Sequence, residues 1–305
     1  MDVASNKKVV RNSRKTKEDI VFDVLNYVML TIMLLAVLYP LYFIIIASIS
    51  NPDRIYAGDV WLFPKDITFE GYKRIFQDSM IWIGYKNSII YTVVGTALNV
   101  TLTLMAAYAL SRKDLKGRTV ILMVLVFTMF FSGGLIPTYL VVKNLGMVNT
   151  MWAMILPKAV AVWNIIVTRA FFQSTIPDAL LEAAKMDGCS NTKFFTKIVL
   201  PLSKPIIAVM VLFYAVGHWN SYFDALIYLN DESLYPLQLV LRNILIQNEA
   251  AANMVSDIGS YAAQQRISEL IKYGVIIVAT IPLLIIYPFV QKYFVKGVMI
   301  GGIKG

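Results

Sequence analysis

The sequence predicts an all-α membrane protein with six transmembrane helices, and three observations carry that expectation. First, 58% of the 305 residues are hydrophobic and only 15% are charged, against about 25% charged in ordinary globular chains; the mean hydropathy is +0.64. Second, several segments longer than about 20 residues hold few or no charges, enough to cross a hydrocarbon core of roughly 30 Å as helices. Third, Lys and Arg are concentrated in alternate connections, the asymmetry that fixes membrane topology.

The same composition excludes several function classes. A single cysteine, Cys189, allows no intramolecular disulfide and no cysteine metal cluster, and the single His218 leaves no histidine-rich metal site or catalytic triad. No glycine-rich phosphate loop of the Walker type is present, so any ATP must be hydrolysed by a partner. The net charge of +9 is read as basic cytoplasmic loops, not as a nucleic-acid surface. No catalytic residue and no metal ligand set is expected.

Residues 1–22, with Lys7, Lys8, Arg11, Arg14, Lys15 and Lys17, form a basic tail. The apolar run that follows, about Val24 to Ser48, is too long for a signal-peptide core and ends in no small-residue cleavage site, so it reads as a retained first span. Residues 51–85 are a polar connection with Trp61, Phe63, Trp82 and Tyr85. In the second span, about Ser88 to Leu110, the residues Ser88, Thr92, Thr96, Asn99 and Thr103 share one helical face. Such a stripe turns toward the bundle interior, serving equally as helix–helix glue or as the lining of a path.

A basic turn, Arg112 to Arg118, leads to the third span, about Val120 to Val142, interrupted by Ser132-Gly-Gly134 and Pro137. Breakers inside a span must be satisfied by neighbours or a cavity. The fourth span is about Met151 to Phe172, the fifth about Pro205 to Leu229 and the sixth about Tyr273 to Val295; residues 230–270 are a longer polar connection. The domain reading is thus a tail (1–22), a six-helix domain (23–295) that includes a polar loop at 173–204, and a C-terminal tail (296–305). Counting Lys292 at the end of the sixth span, seventeen Lys and Arg lie on the side of the termini and nine on the other, which places both termini and the 173–204 loop in the cytoplasm and the protein, multi-pass, in the cell membrane.

That loop is the best-patterned polar interval. Thr175 and Asp178 flanking Pro177 suggest a capping-box-like helix start. A helix over 177–186 stops at Asp187-Gly188, and a second, about Asn191 to Val199, is ended by Leu200-Pro201 and Pro205. Alanines permit close approach of another surface and Glu182 offers one charge to a basic partner; the competing reading is an amphipathic helix in the headgroups. In the fifth span Trp219 lies about 21 Å beyond the cytoplasmic start. Trp219, Asn220, Tyr222, Phe223 and Asp224 have the stacking and hydrogen-bonding chemistry of a sugar contact, or of an aromatic belt.

Glu182-Ala183-Ala184 with Asp187-Gly188, then Phe195, Ile198 and Leu200-Pro201, resembles the EAA motif of ABC importer permeases. Phe131 to Thr138, Gly217-His-Trp-Asn220 and the Gly301–Gly305 tail are similar to the carbohydrate-uptake branch, nearest the maltose and oligo- or polysaccharide type of Gram-positive bacteria, over essentially the whole chain from about residue 20. The resemblance implies a type I importer permease paired with a second, homologous permease. It also implies two cytoplasmic ATPase subunits that hold the ATP and Mg, an extracellular solute-binding protein, and no cofactor on this chain. It gives Glu182, Ala183, Ala184, Asp187, Gly188, Phe195 and Pro201 to ATPase coupling and leaves Trp219, Asn220, Tyr222, Asp224 and Asn99 as candidates for the substrate path. Two alternatives stay open: a permease for a non-sugar solute such as a glycerol phosphoester, and an ion-coupled carrier, which would call for paired buried charges and inverted repeats.

Overall fold

The structure is a computed structural model and describes residues 16–254 and 258–301. Among the described residues every regular element is helical. Among the described residues three helices are long and apolar enough to span a membrane singly, and three further bent pairs bring the number to six when each pair is taken as one span.

The chain divides into two compact units, residues 1–68 and 69–305. The first holds α1 (Lys17–Ser48) and α2 (Pro52–Tyr56). α1 starts seven residues before the expected first span because Thr16 and Asp19 form a reciprocal capping box. Its apolar residues from Ile20 to Ile45 are largely exposed, a surface suited to lipid. The segment after it is more ordered than a plain connection: Asn51 caps α2, and Arg54 reaches Asp66 at 2.7 Å and Asp59 at 3.3 Å.

The second unit begins with α3 (Glu70–Gln77) and α4 (Ser79–Ser111). The Asp78 side chain caps Met80, so the second span starts nine residues earlier than the hydropathy suggested. The third span is α5 (Arg118–Phe130) and α6 (Leu135–Asn144), bent by 113° at Phe131-Ser-Gly-Gly134. The fourth is α7 (Met151–Ile155), extended by a 3₁₀ turn through Lys158, and α8 (Val162–Thr175), bent by 52°. Then come α9 (Asp178–Met186), α10 (Asn191–Phe194), a π turn over Phe195–Val199 and α11 (Leu200–Leu202).

The fifth span differs from expectation in two ways. Pro201 does not end the preceding helix: the π turn leaves it in the first turn of α11, where its missing N–H costs nothing, and the 82° bend comes at Ser203. Moreover α12 (Lys204–Trp219) stops at Asn220-Ser221, and α13 (Tyr222–Tyr228) follows as a separate helix. After a 3₁₀ turn (Glu232–Leu234), the 230–270 interval is not merely a polar connection: it holds α14 (Leu237–Met254), whose buried Leu237, Leu239, Val240 and Leu241 pack into the bundle. α15 (Ile258–Gly301) carries the sixth span within Gln265–Pro288. Residues 1–15 and 302–305, including most of the glycine-rich tail, lie outside the described residues.

α4 is the spine of this unit and packs along α12, α8 and α14. Its C-terminal half, with Val100, Leu104, Ala107 and Leu110, joins Phe172, Phe194, Val199 and Met210 in one apolar core. Its N-terminal half contributes Ile81 to a second core with Trp219, Leu237 and Val278, and Tyr91 to a third with Met154 and Ala225. Between them lies the polar stripe, in which Ser88, Asn99 and Thr103 act as glue, while the buried Thr92 and Thr96 hydroxyls and Asn99 Oδ1 have no hydrogen-bond partner among the described residues. Ser88 Oγ accepts the Leu237 N–H at 2.9 Å, capping the start of α14; Asn99 Nδ2 donates to the Lys158 carbonyl at 3.2 Å; Thr103 and Tyr214 share a hydrogen bond of 2.6 Å, and Tyr214 Oη accepts the Ala161 N–H at 3.3 Å. The broken fourth span frees backbone groups at 158–161, and α4 and α12 supply their partners. His218 is buried against Gly95, where an added Cβ would lie 2.4 Å from Nε2; only glycine admits the ring so close.

Candidate functional site

The polar loop folds as a helix–hinge–helix on the end of the bundle. The expected capping box at its start does not form. Thr175 is the last residue of α8, its buried hydroxyl has no partner among the described residues, and Pro177 holds the cap position with no side-chain acceptor. Asp178 instead reaches across to Lys113 at 2.5 Å. α9 turns its Ala184 into the apolar core and leaves Glu182, Ala183 and Met186 exposed, with Met186 at 89% of full exposure.

The hinge has an identifiable mechanism. Gly188 adopts φ +70°, its N–H bonds the Lys185 carbonyl at 3.0 Å, and the Cys189 N–H bonds the Ala184 carbonyl at 2.8 Å. That is a Schellman stop, and a residue with a Cβ is strained there. The Ser190 hydroxyl then accepts the Lys193 N–H at 3.3 Å and starts α10. Asp187 caps α9 and is exposed.

Between α8–α9 and the Arg112 turn lies a cleft of about 700 Å³, with Glu182 and Lys185 on one wall and Arg112 to Asp114 on the other. Among the described residues Glu182 makes no ion pair, whereas its neighbours do. Arg112 holds Asp114 at 2.5 Å, accompanied by Lys185 at 3.5 Å. The Arg112 hydrogen bond, with a smaller share from Lys185, holds the Asp114 carboxyl at about 2, well below the usual range. Arg112 also donates to the Tyr108 hydroxyl at 2.8 Å, and the Tyr108 ring meets the half-buried Phe195 at 4.8 Å between centroids. Phe195 therefore anchors the loop to α4 from inside. Pro201 is exposed at the junction with α12.

The second set of sequence candidates gathers at the break between α12 and α13, in two layers. Trp219 is 3% exposed and donates Nε1–H to the Ala279 carbonyl at 3.0 Å, which makes it core and not an interfacial belt residue. Asn99 is 1% exposed, and its Nδ2 lies 3.1 Å from His218 Nε2. Nearer the surface, Asn220 and Tyr222 are exposed and Asp224 forms a 2.6 Å ion pair with Lys158, tying the broken fifth span to the broken fourth.

Residues 9–300 match the family model described as the binding-protein-dependent transport system inner membrane component. The chain belongs to this family. It is a membrane-embedded permease component of a transport system and not an enzyme. Among permeases, it is 43% identical to the polygalacturonan/rhamnogalacturonan transport system permease protein YtcP of Bacillus subtilis, over 93% of this chain and 98% of that protein. It is 42% identical to the protein LplC of the same organism, over 97% and 99%. Its structure superposes with a TM-score of 0.82, at 34% identity and covering 92% of this chain and 99% of the other, on a chain from the crystal structure of a bacterial ABC transporter involved in the import of the acidic polysaccharide alginate.

Sequence reasoning about this permease missed the far wall of the cleft, since Tyr108, Arg112 and Asp114 looked like a span end and a topology-setting basic turn. The available signal was an Asp inside an otherwise basic turn. It also passed over Arg242, which lies on α14 within what read as a connection.

Proposed function

We propose that the chain is one transmembrane half of an ATP-driven ABC importer that carries a carbohydrate, an oligosaccharide or polysaccharide fragment, across the cell membrane. The observation that carries the reading is the near full-length similarity, at 43% identity, to a permease named for polygalacturonan and rhamnogalacturonan transport. The structural likeness to a chain of an alginate importer supports it.

In this reading a second, homologous permease completes the pathway, two ABC ATPases bind ATP and Mg on the cytoplasmic side, and an extracellular solute-binding protein delivers the sugar. The excess of Lys and Arg on the side of the termini supports a cytoplasmic site for the α8–α12 loop. α9 is the helix that the ATPase grips: Glu182 is exposed and has no ion pair among the described residues, Ala183 permits close approach, and Met186 offers an adaptable apolar contact. Ala184, Asp187 and Gly188 set the stop and the hinge, while Phe195 and Pro201 transmit movement into α4 and α12. At the opposite site Asn220, Tyr222 and Asp224 face the sugar, with Asn99 and Trp219 holding the broken helices behind them.

The test is uptake of labelled oligosaccharides into vesicles containing the reconstituted complex, with and without the ATPase subunits. ATP-dependent accumulation that vanishes without them is the expected result. Transport by the permeases alone, driven by an ion gradient, would replace this reading with a secondary carrier.

A further inference from the structure

A second cleft, of about 510 Å³, opens where the α12–α13 break meets α14 and α15, within the size range of small-ligand sites, about 300–1,000 Å³. Asn220 and Tyr222 come from the break, Gln238 and Arg242 from α14, and Thr280 from α15. Gln238 and Arg242 are four residues apart and so share one helical face. Gln238 Nε2 lies 3.4 Å from Asn220 Oδ1, which ties the amides of the two walls together. The floor between them is apolar, formed by Leu241, Val275 and their neighbours.

Arg242 is the decisive group. No carboxylate is among the described residues that line the cleft, and Arg242 has no ion pair among the described residues. Asp224, two residues beyond Tyr222 in the chain, does not line the cleft and is committed to Lys158 at 2.6 Å. A lone guanidinium facing hydrocarbon is costly, and one facing an aqueous or ligand-filled cleft is not. Its planar fork matches a carboxylate bidentately. The surrounding amides, phenol and apolar floor suit the hydroxyls and C–H faces of a pyranose. Among the described residues the cleft has one cation, the match for a single carboxylate.

We infer that this cleft is a saccharide subsite in which Arg242 binds the carboxylate of a uronate residue while Asn220, Tyr222 and Gln238 contact the ring hydroxyls. The inference rests on the proposed carbohydrate import and adds the substrate's charge and the group that reads it.

The test uses the assembled transporter in lipid nanodiscs, without the solute-binding protein, and two probes that differ only at the carboxyl: trigalacturonate and its methyl ester. The unaltered complex is expected to bind the acid about tenfold more tightly than the ester. Arg242→Gln should bring acid binding down to the level of the ester and leave the ester unchanged. Arg242→Lys, which keeps the charge but loses the fork, should weaken acid binding about threefold with the ester unaffected. Equal binding of acid and ester by the unaltered complex overturns the subsite, as does a parallel loss of both probes in Arg242→Gln. If Arg242→Gln does not assemble, unchanged acid binding in Arg242→Lys overturns it. Failure of assembly in Arg242→Gln that Arg242→Lys repairs, with no preference between the probes, would assign the guanidinium to a carboxylate of the second permease and likewise overturn the subsite. ATP-dependent uptake of neutral oligosaccharides without acid preference would sink the subsite and leave carbohydrate import standing; no ATP-dependent uptake of any oligosaccharide would sink both.

Discussion

The two polar regions of this permease are built on opposite principles. In the α8–α12 loop, charged groups are displayed: Glu182 and Asp187 are exposed, and the pairs around them, such as Lys113–Asp178, are solvent-screened and worth at most about 1 kcal/mol each. In the middle of α4, polar groups are spent inward. Ser88, Asn99 and Thr103 are buried and satisfy a helix start, a broken span and a tyrosine. The difference teaches that a polar residue in a span is not by itself a sign of a path. What separates the two regions is whether a freed backbone group nearby needs a partner.

That contrast can be broken at specific residues. The largest effect is expected from Glu182→Lys, which should leave assembly and thermal unfolding unchanged yet abolish substrate-stimulated ATP hydrolysis by the complex; unaltered coupling would remove Glu182 from the interface. Next, Gly95→Val should drive a side chain into His218 and cost about 1–3 kcal/mol or more, read as a lowered unfolding temperature of the purified permease pair. Asn99→Leu keeps the bulk but orphans the Lys158 carbonyl and should cost about 1–3 kcal/mol by the same measurement. An unchanged unfolding temperature in that variant would mean that the break in the fourth span needs no rescue from α4.

The smallest effect belongs to the loop's own electrostatics. Asp114 is held near 2, below its ordinary value, so the stability it contributes is present above about pH 4 and is lost as the pH falls toward 2. Because its side chain is 53% exposed, screening limits that contribution to less than about 1 kcal/mol. Asp114→Asn should therefore shift unfolding only slightly at pH 7, and the difference from the unaltered protein should disappear on acidification. A large loss at pH 7 would show that Arg112 depends on Asp114 for its contacts with Tyr108.

The spans and the hinge were legible because they rest on local chemistry. Hydropathy marks any segment that must sit in lipid, and Asp187-Gly188 marks a helix stop because φ +70° favours glycine. The Thr175 cap was misread because α8 continues through it; a side chain inside a helix cannot cap the next one. The break at Asn220-Ser221 was also illegible. No proline or glycine stands there, and the contacts that flank the break are remote in sequence: Trp219 bonds the Ala279 carbonyl, 60 residues away, and Asp224 pairs with Lys158, 66 residues away.

By itself, then, the amino-acid sequence determined the class of the protein, the number of its spans, the side of the membrane expected for each connection and the place of the hinge. These follow from hydropathy, charge asymmetry and backbone preference, all of which act over a few residues. The tertiary structure alone decided which polar groups are glue and which remain available. Asn99 was engaged by His218 and by the backbone of the fourth span, whereas Glu182 and Arg242 were left without a counter-ion among the described residues. Availability is a property of what packs opposite a residue, and residues that pack opposite one another can lie far apart in the chain, as Tyr85 and Val278 do at a separation of 193 positions.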